Sequence, residues 1–185
     1  LRDTPPAGPL IGLCKTLDQA KAVAQFIDAL AEKQLKPPTS LTAARGRGKS
    51  AAMGLAVAGA ISFGYSQIYV TSPSPENLIT FFEFILKGFD ALAYQEHLDY
   101  TILRSTNPEF NKAIVKINLT RNNRQTIQFI SPNDAHLLNA ADLLIIDEAA
   151  AIPLPLVKAM LGSYLVFMAS TINGYEGTGR SLSLK

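Results

Sequence analysis

Apolar and polar positions switch between two periods along the chain, and the switching predicts helices and strands in turn. Leu17, Ala20, Val23, Ala24, Ile27 and Leu30 recur at helical spacing with charges opposite, predicting a helix capped by Thr16 and running to about Lys36, where Pro37 and Pro38 stop it. Ahead of it, Pro5, Pro6, Gly8 and Pro9 break regular structure, so residues 1–14 read as an N-terminal linker. From Ser40 a brief strand ends near Thr42, and a Gly-rich turn follows. Lys49 to Phe63 is nearly all apolar and too long for a strand, which predicts a buried helix. Gln67 to Thr71 reads as a strand and Ser72 to Pro75 as a turn. Glu76 to Asp90 then reads as a helix started by Ser74 or Pro75, with Leu78, Phe81, Phe82, Ile85 and Phe89 at helical spacing.

Three strand-like runs occupy the middle: Tyr100 to Arg104, Ala113 to Leu119 and Thr126 to Ile130. Their order in a sheet is not fixed by the pattern. Leu143 to Ile146 and Tyr164 to Ala169 are short continuous apolar runs, as expected of strands buried on both faces. Strands alternating with helices imply an α/β fold, a mostly parallel sheet flanked by helices on both faces.

Composition narrows the setting. Seventeen Lys and Arg against 15 Asp and Glu leave a net charge of +2 over 185 residues, which excludes a purely electrostatic nucleic-acid arm. With 48% hydrophobic and 17% charged residues, the chain can bury one core and reads as one globular domain without repeats. The single cysteine, Cys14, cannot form an internal disulfide and fits a reducing compartment. The longest apolar stretch, Ala51 to Tyr65, is short for a bilayer span, so a soluble intracellular protein is expected. The chain starts at Leu1 rather than Met and ends on an alternating run, Ser181 to Lys185, with nowhere to go; a fragment of a larger protein is expected.

The chemistry concentrates at two places. Ala43-Ala44-Arg45-Gly46-Arg47-Gly48-Lys49-Ser50 follows a predicted strand and opens a predicted helix, the context of a phosphate-binding loop. Backbone N–H groups converge there on an anion, and Gly46 and Gly48 permit the close approach. Arg47 and Ala51 complete the cradle. Lys49 is placed to reach the β- and γ-phosphates, and Ser50 to put its hydroxyl on Mg²⁺. The usual first glycine of the motif is Ala43 here. The second place is Leu143-Leu144-Ile145-Ile146-Asp147-Glu148, an apolar strand ending in adjacent acids. Strand ends face the ligand crevice in such sheets, so Asp147 is expected to hold Mg²⁺ with Ser50, and Glu148 to orient or deprotonate the attacking water. Together they predict Mg²⁺–ATP as cofactor and a RecA-like P-loop NTPase domain.

Other positions carry two readings each. Ser170 and Thr171 follow the last predicted strand, either as γ-phosphate sensors or as hydroxyls satisfying a turn. Gln19 occupies a place similar to that of a glutamine that reads adenine in superfamily 1 helicases; apart from that likeness it is an exposed helix residue. Thr71, Ser72 and Ser74 are either contacts to a nucleic-acid backbone or a plain turn. Arg180 either touches phosphate or RNA, or is a surface arginine. His97 and His136 lack metal-ligand spacing, and Phe81, Phe82, Phe84 and Phe89 read as core.

The strings Thr42 to Ser50, Val70 to Asn77, Ile146 to Pro153 and Ala169 to Arg180 closely resemble the helicase-like module of the eukaryotic RNA cytidine acetyltransferases. The resemblance covers nearly the whole chain, and Ala43 belongs to that family's version of the loop. It implies a nucleolar, hence nuclear, enzyme that forms N4-acetylcytidine in 18S ribosomal RNA and, with an adaptor protein, in transfer RNA, using acetyl-CoA and ATP. It also implies work with small-subunit processome proteins in ribosome assembly, and a homodimer at full length away from any membrane. On this reading residues 15–185 are an incomplete helicase-like ATPase domain. The second lobe and the acetyltransferase domain with its acetyl-CoA site lie elsewhere, so the fragment is expected to bind ATP and turn it over poorly. Two other functions fit the motifs: a strand-separating RNA helicase, or a nucleotide-binding scaffold within a pre-ribosomal particle.

Overall fold

The computed structural model describes residues 6–32, 39–44 and 48–172. Helix α1 (Ala7–Ile11) and helix α2 (Leu17–Glu32) precede strand β1 (Thr39–Ala44). Helix α3 (Gly48–Ser62), strand β2 (Gln67–Thr71) and helix α4 (Ile79–Ala91) follow, α4 being entered through a 3₁₀ turn at Pro75–Leu78. Strands β3 (Tyr100–Arg104), β4 (Ile114–Leu119) and β5 (Gln125–Phe129) form a meander, and β6 (Leu143–Ile146), helix α5 (Leu154–Met160) and β7 (Leu165–Ile172) complete the described part.

All seven strands join one sheet in the order β1-β7-β6-β2-β5-β4-β3. The run from β1 to β5 is parallel, and β4 and β3 add antiparallel at one edge. The mostly parallel α/β architecture read from the sequence is therefore present, with the meander supplying the order the pattern left open. Strand β6 sits between β7 and β2 and is buried at every position. Leu143 and Ile145 enter the core beneath α1 to α4, while Leu144 and Ile146 enter a second cluster with Val157 and Met160 of α5. Side chains alternate across a strand, so a tetrapeptide with no polar residue fits only where helices cover both faces.

Three expectations need correction. The N-terminal linker does not hold for Ala7–Ile11, which is helical with Leu10 fully buried. Its prolines are compatible with that, because Pro6 precedes the first turn and Pro9 lies within it, where N–H groups have no intrahelical acceptor. Strand β1 continues to Ala44, past the expected end at Thr42. Strand β7 continues to Ile172, so Ser170 and Thr171 lie in the sheet, paired with Thr42 and Ala43, rather than after it. The expected end of α2 near Lys36 falls outside the described residues. Among the described residues, no helix is long and apolar enough to cross a membrane.

Helix α3 is buried along nearly its whole length and is rich in Ala and Gly, which lets neighbours approach its backbone. A Cβ on Gly54 would lie 2.4 Å from the Phe81 carbonyl oxygen and 3.0 Å from Cβ of Phe84; one on Gly88 would lie 2.6 Å from Cβ of Ala58. Glycines on both helices thus set the spacing of α3 and α4. Alanine at Gly54 gains about 1 kcal/mol of helix propensity but meets a carbonyl that no rotamer change can move, and overpacking of this kind costs roughly 1–3 kcal/mol. We expect Gly54→Ala to lower the denaturant midpoint despite the better helix former; an unchanged or raised midpoint would contradict the close α3–α4 contact.

Candidate nucleotide-binding site

The first turn of α3 faces the end of β6. Lys49 is 4% exposed, and its Nζ donates to Oε1 of Glu148 at 2.5 Å. Next to it, Ser50 Oγ donates to Oδ2 of Asp147 at 2.8 Å. Asp147 is fully buried, its backbone N–H continues the β6–β2 ladder to the Thr71 carbonyl at 2.9 Å, and its Oδ1 accepts the N–H of Glu148 at 2.9 Å. Residues nearly a hundred positions apart therefore form one cluster at the carboxyl edge of the sheet, as the two sequence motifs required. Ala51, also in the first turn of α3, is buried beneath it. Gly46, Arg47 and Arg180 lie outside the described residues.

Glu148 has a left-handed backbone, φ 52°, which costs a non-glycine residue roughly 1–3 kcal/mol. The turn that follows, Ala149–Ala151, is held by the Ala151 N–H on the Glu148 carbonyl at 3.0 Å and by the Ala150 N–H on Ser170 Oγ at 3.3 Å. Ser170 is 1% exposed, so this hydroxyl serves the turn carrying Glu148. The sequence offered no signal for that contact or for the Lys49–Glu148 pair, because both are made across the fold.

Gln19 lies against the start of α3: a Cβ on Gly48 would stand 3.3 Å from its Nε2. Its Oε1 accepts the Lys15 N–H at 2.8 Å, and its own N–H donates to the capping Thr16 Oγ1 at 3.1 Å. The glutamine singled out by its likeness to helicases thus lies beside Gly48, the first residue of α3. The hydroxyls of Thr71, Ser72 and Ser74 each bond a backbone group. Thr71 donates to the Ile130 carbonyl at 2.7 Å, Ser72 to the Ser74 carbonyl at 2.5 Å, and Ser74 Oγ accepts the Glu76 N–H at 3.4 Å. The turn's own backbone accounts for the Ser72 and Ser74 contacts, whereas Thr71 bonds across the sheet just past β5.

Burial pushes the Asp147 carboxyl above the ordinary carboxylate range. The Ser50 hydrogen bond, the charge of Lys49 and the Glu148 N–H pull it back down, and the Glu148 charge adds to the rise. Among the described residues, no group of three or more His, Cys, Asp or Glu could cage a metal ion. The donor set at this site is a hydroxyl and a buried carboxylate, hard oxygen ligands that suit Mg²⁺ sharing its coordination with water and phosphate rather than an all-protein cage. Ser50 and Asp147 fit that ion.

A Gly-Lys-Ser helix start opposite an Asp-Glu strand end, in a mostly parallel sheet, defines the P-loop ATPase class of fold. Solved structures agree at that level. The ATPase domain of a Thermus phage large terminase aligns with TM-score 0.52 and 15% identity, over 91% of this chain and 74% of that one. A thermophilic bacteriophage large terminase in complex with ATP-gamma-S aligns with TM-score 0.55 and 11% identity, over 84% and 37%. At such identities the likeness concerns the fold alone.

Sequence similarity is far more specific, since residues 40–185 match the family described as RNA cytidine acetyltransferase NAT10/TcmA, helicase domain, and the chain belongs to that family. It is 78% identical over 97% of its length to the RNA cytidine acetyltransferase of Drosophila melanogaster, and 70% and 66% identical over its whole length to those of Homo sapiens and Saccharomyces cerevisiae. In each case it spans 18% of the relative's length.

The raised Asp147 carboxyl fixes the sign of a stability effect. A group whose folded pKa exceeds its unfolded value keeps its proton longer when folded, so its contribution to stability falls as pH rises from the unfolded value through the raised one. At neutral pH the ionised Asp147 therefore costs stability. An asparagine there can still accept the Glu148 N–H and meet Ser50. We expect Asp147→Asn, free of nucleotide and metal, to melt no lower than the wild type at pH 7, with any advantage shrinking as the solution is acidified through the raised pKa. Marked destabilisation at pH 7 would show that the charge is well compensated.

Proposed function

We propose that this chain is the ATP-binding and ATP-hydrolysing module of an RNA cytidine acetyltransferase. The whole protein would form N4-acetylcytidine in 18S ribosomal RNA and, with an adaptor protein, in transfer RNA, and would act with small-subunit processome proteins in ribosome assembly. Its setting would be the nucleolus, its full-length state a homodimer, and its acetyl-CoA site a domain outside these residues. The observation that carries the ATPase reading is the convergence of Lys49, Ser50, Asp147 and Glu148 at one sheet edge. Membership of the acetyltransferase family supports the rest.

In this reading the backbone N–H groups at the start of α3, with Gly46, Arg47, Gly48 and Ala51, cradle the phosphates. Lys49 leaves Glu148 for the β- and γ-phosphate oxygens, because a phosphate offers it more negative charge than one carboxylate. Ser50 and Asp147 would hold Mg²⁺, which neutralises phosphate charge when bound. Glu148, released from Lys49, orients a water in line with the γ-phosphorus and takes its proton; the bond from phosphorus to the bridging oxygen breaks, leaving ADP and inorganic phosphate. Gln19 flanks the loop where an adenine would lie, and Arg180 would meet phosphate or RNA.

The test is ATP binding, ATP turnover and RNA acetylation by the full-length protein with two substitutions. Lys49→Ala is expected to lose ATP binding. Glu148→Gln is expected to keep ATP while turnover and acetylation fall by about 10²–10⁴-fold, the usual worth of a general base. Acetylation at the wild-type rate in both variants would replace the coupled ATPase by a nucleotide-binding scaffold, and ATP-dependent duplex unwinding would favour a helicase.

A further inference from the structure

At the far end of the same sheet edge, beyond β2 and β5, a groove of about 310 Å³ opens between the first turns of α4 and the ends of β3 and β4. Phe82, Leu86 and Ile114 are among its lining, and Ile79, at the start of α4, is 56% exposed, an aliphatic side chain with nothing over it among the described residues. Arg104 and Lys112 line the sheet side. Two successive left-handed residues, Asn111 and Lys112 (φ 49° and 57°), turn the Lys112 carbonyl back so that it accepts Arg104 Nη1 at 3.2 Å. That bond uses one guanidinium donor of the exposed Arg104 and leaves it further N–H groups for an occupant. Glu83, on the opposite wall, belongs to α4.

We propose that this groove is a docking site for a protein segment that carries an aliphatic side chain beside a carboxylate. The aliphatic group would pack against Ile79 and Ile114, and the carboxylate would take the free edge of Arg104 beside Lys112. Charge complementarity selects the acid: the anchored fork matches a carboxylate geometrically, and Glu83 faces an occupant from the other side, where it disfavours a second acid. The lining favours protein over RNA. Single-stranded nucleic acid binds through exposed aromatic faces, whereas Phe82 is 2% exposed and its neighbours are aliphatic. The site is separate from Lys49 and Asp147, with β2, β5 and β4 lying between β6 and β3.

Labelled short Gly/Ser peptides carrying one Leu-Asp pair, with Leu-Lys and Ala-Asp versions and oligouridylate as comparators, test it against isoleucine-methyl-labelled chain. The Leu-Asp peptide is expected to shift the Ile79 and Ile114 methyl signals and to bind about tenfold or more tightly than either peptide comparator. Arg104→Glu, a surface substitution, should turn the preference toward Leu-Lys, and Ile79→Ser should weaken both. Equal affinity for Leu-Asp and Leu-Lys, no change on Arg104→Glu, absence of methyl shifts, or oligouridylate shifting these methyls ahead of the peptide would overturn the proposal.

Discussion

The site rests on keeping Lys49 and Asp147 charged while nearly or fully buried. An isolated buried ion is expensive, so each must be paired and hydrogen-bonded, and here the partners are each other's neighbours in sequence: Lys49 meets Glu148 and Ser50 meets Asp147. The arrangement ties the first turn of α3 to the end of β6. Burial is the main reason the Asp147 carboxyl is pushed up; the Glu148 charge adds a smaller push, and Ser50, Lys49 and the Glu148 N–H pull it back. A divalent cation suits such a site for the same reason that protons do.

The rest of the fold holds those two segments in register. Strand β6 lies centrally, gripped by β2 and β7, and is apolar on both faces, so Asp147 leaves the sheet at a fixed point. Helix α3 reaches that point because its small residues let α4 and α2 pack closely around it. Ser170, at the end of β7, ties the turn after Glu148 to the strand that pairs with β1. Strand β1 and the first turn of α3 are thus joined through one sheet edge.

Much of this was legible in the sequence where one physical demand dominates. An unbroken Leu-Leu-Ile-Ile run can only be a strand covered on both faces, and an Ala/Gly-rich apolar segment as long as α3 can only be a buried helix. Gly48-Lys49-Ser50 and Asp147-Glu148 stood out because a phosphate site would narrow the choice of residues, and the structure brings Lys49 to Glu148 and Ser50 to Asp147. Legibility failed where tertiary contact overrides local signal. Ser170 and Thr171 look like a turn, yet they extend a strand because β1 is there to pair with them. Pro6 and Pro9 look like linker, yet they sit where a helix needs no N–H donor. Thr71, Ser72 and Ser74 suggested a ligand, but Thr71 donates to the Ile130 carbonyl across the sheet and Ser72 and Ser74 bond backbone groups within the turn.

The most direct measurement is a structure of the chain with Mg²⁺ and a non-hydrolysable ATP analogue. Lys49 Nζ is expected to move from Glu148 to the β- and γ-phosphate oxygens, with Ser50 and Asp147 beside the metal and Glu148 turned toward the γ-phosphorus. A structure in which the analogue binds elsewhere, or in which Lys49 stays on Glu148 while the analogue is bound, would contradict that expectation.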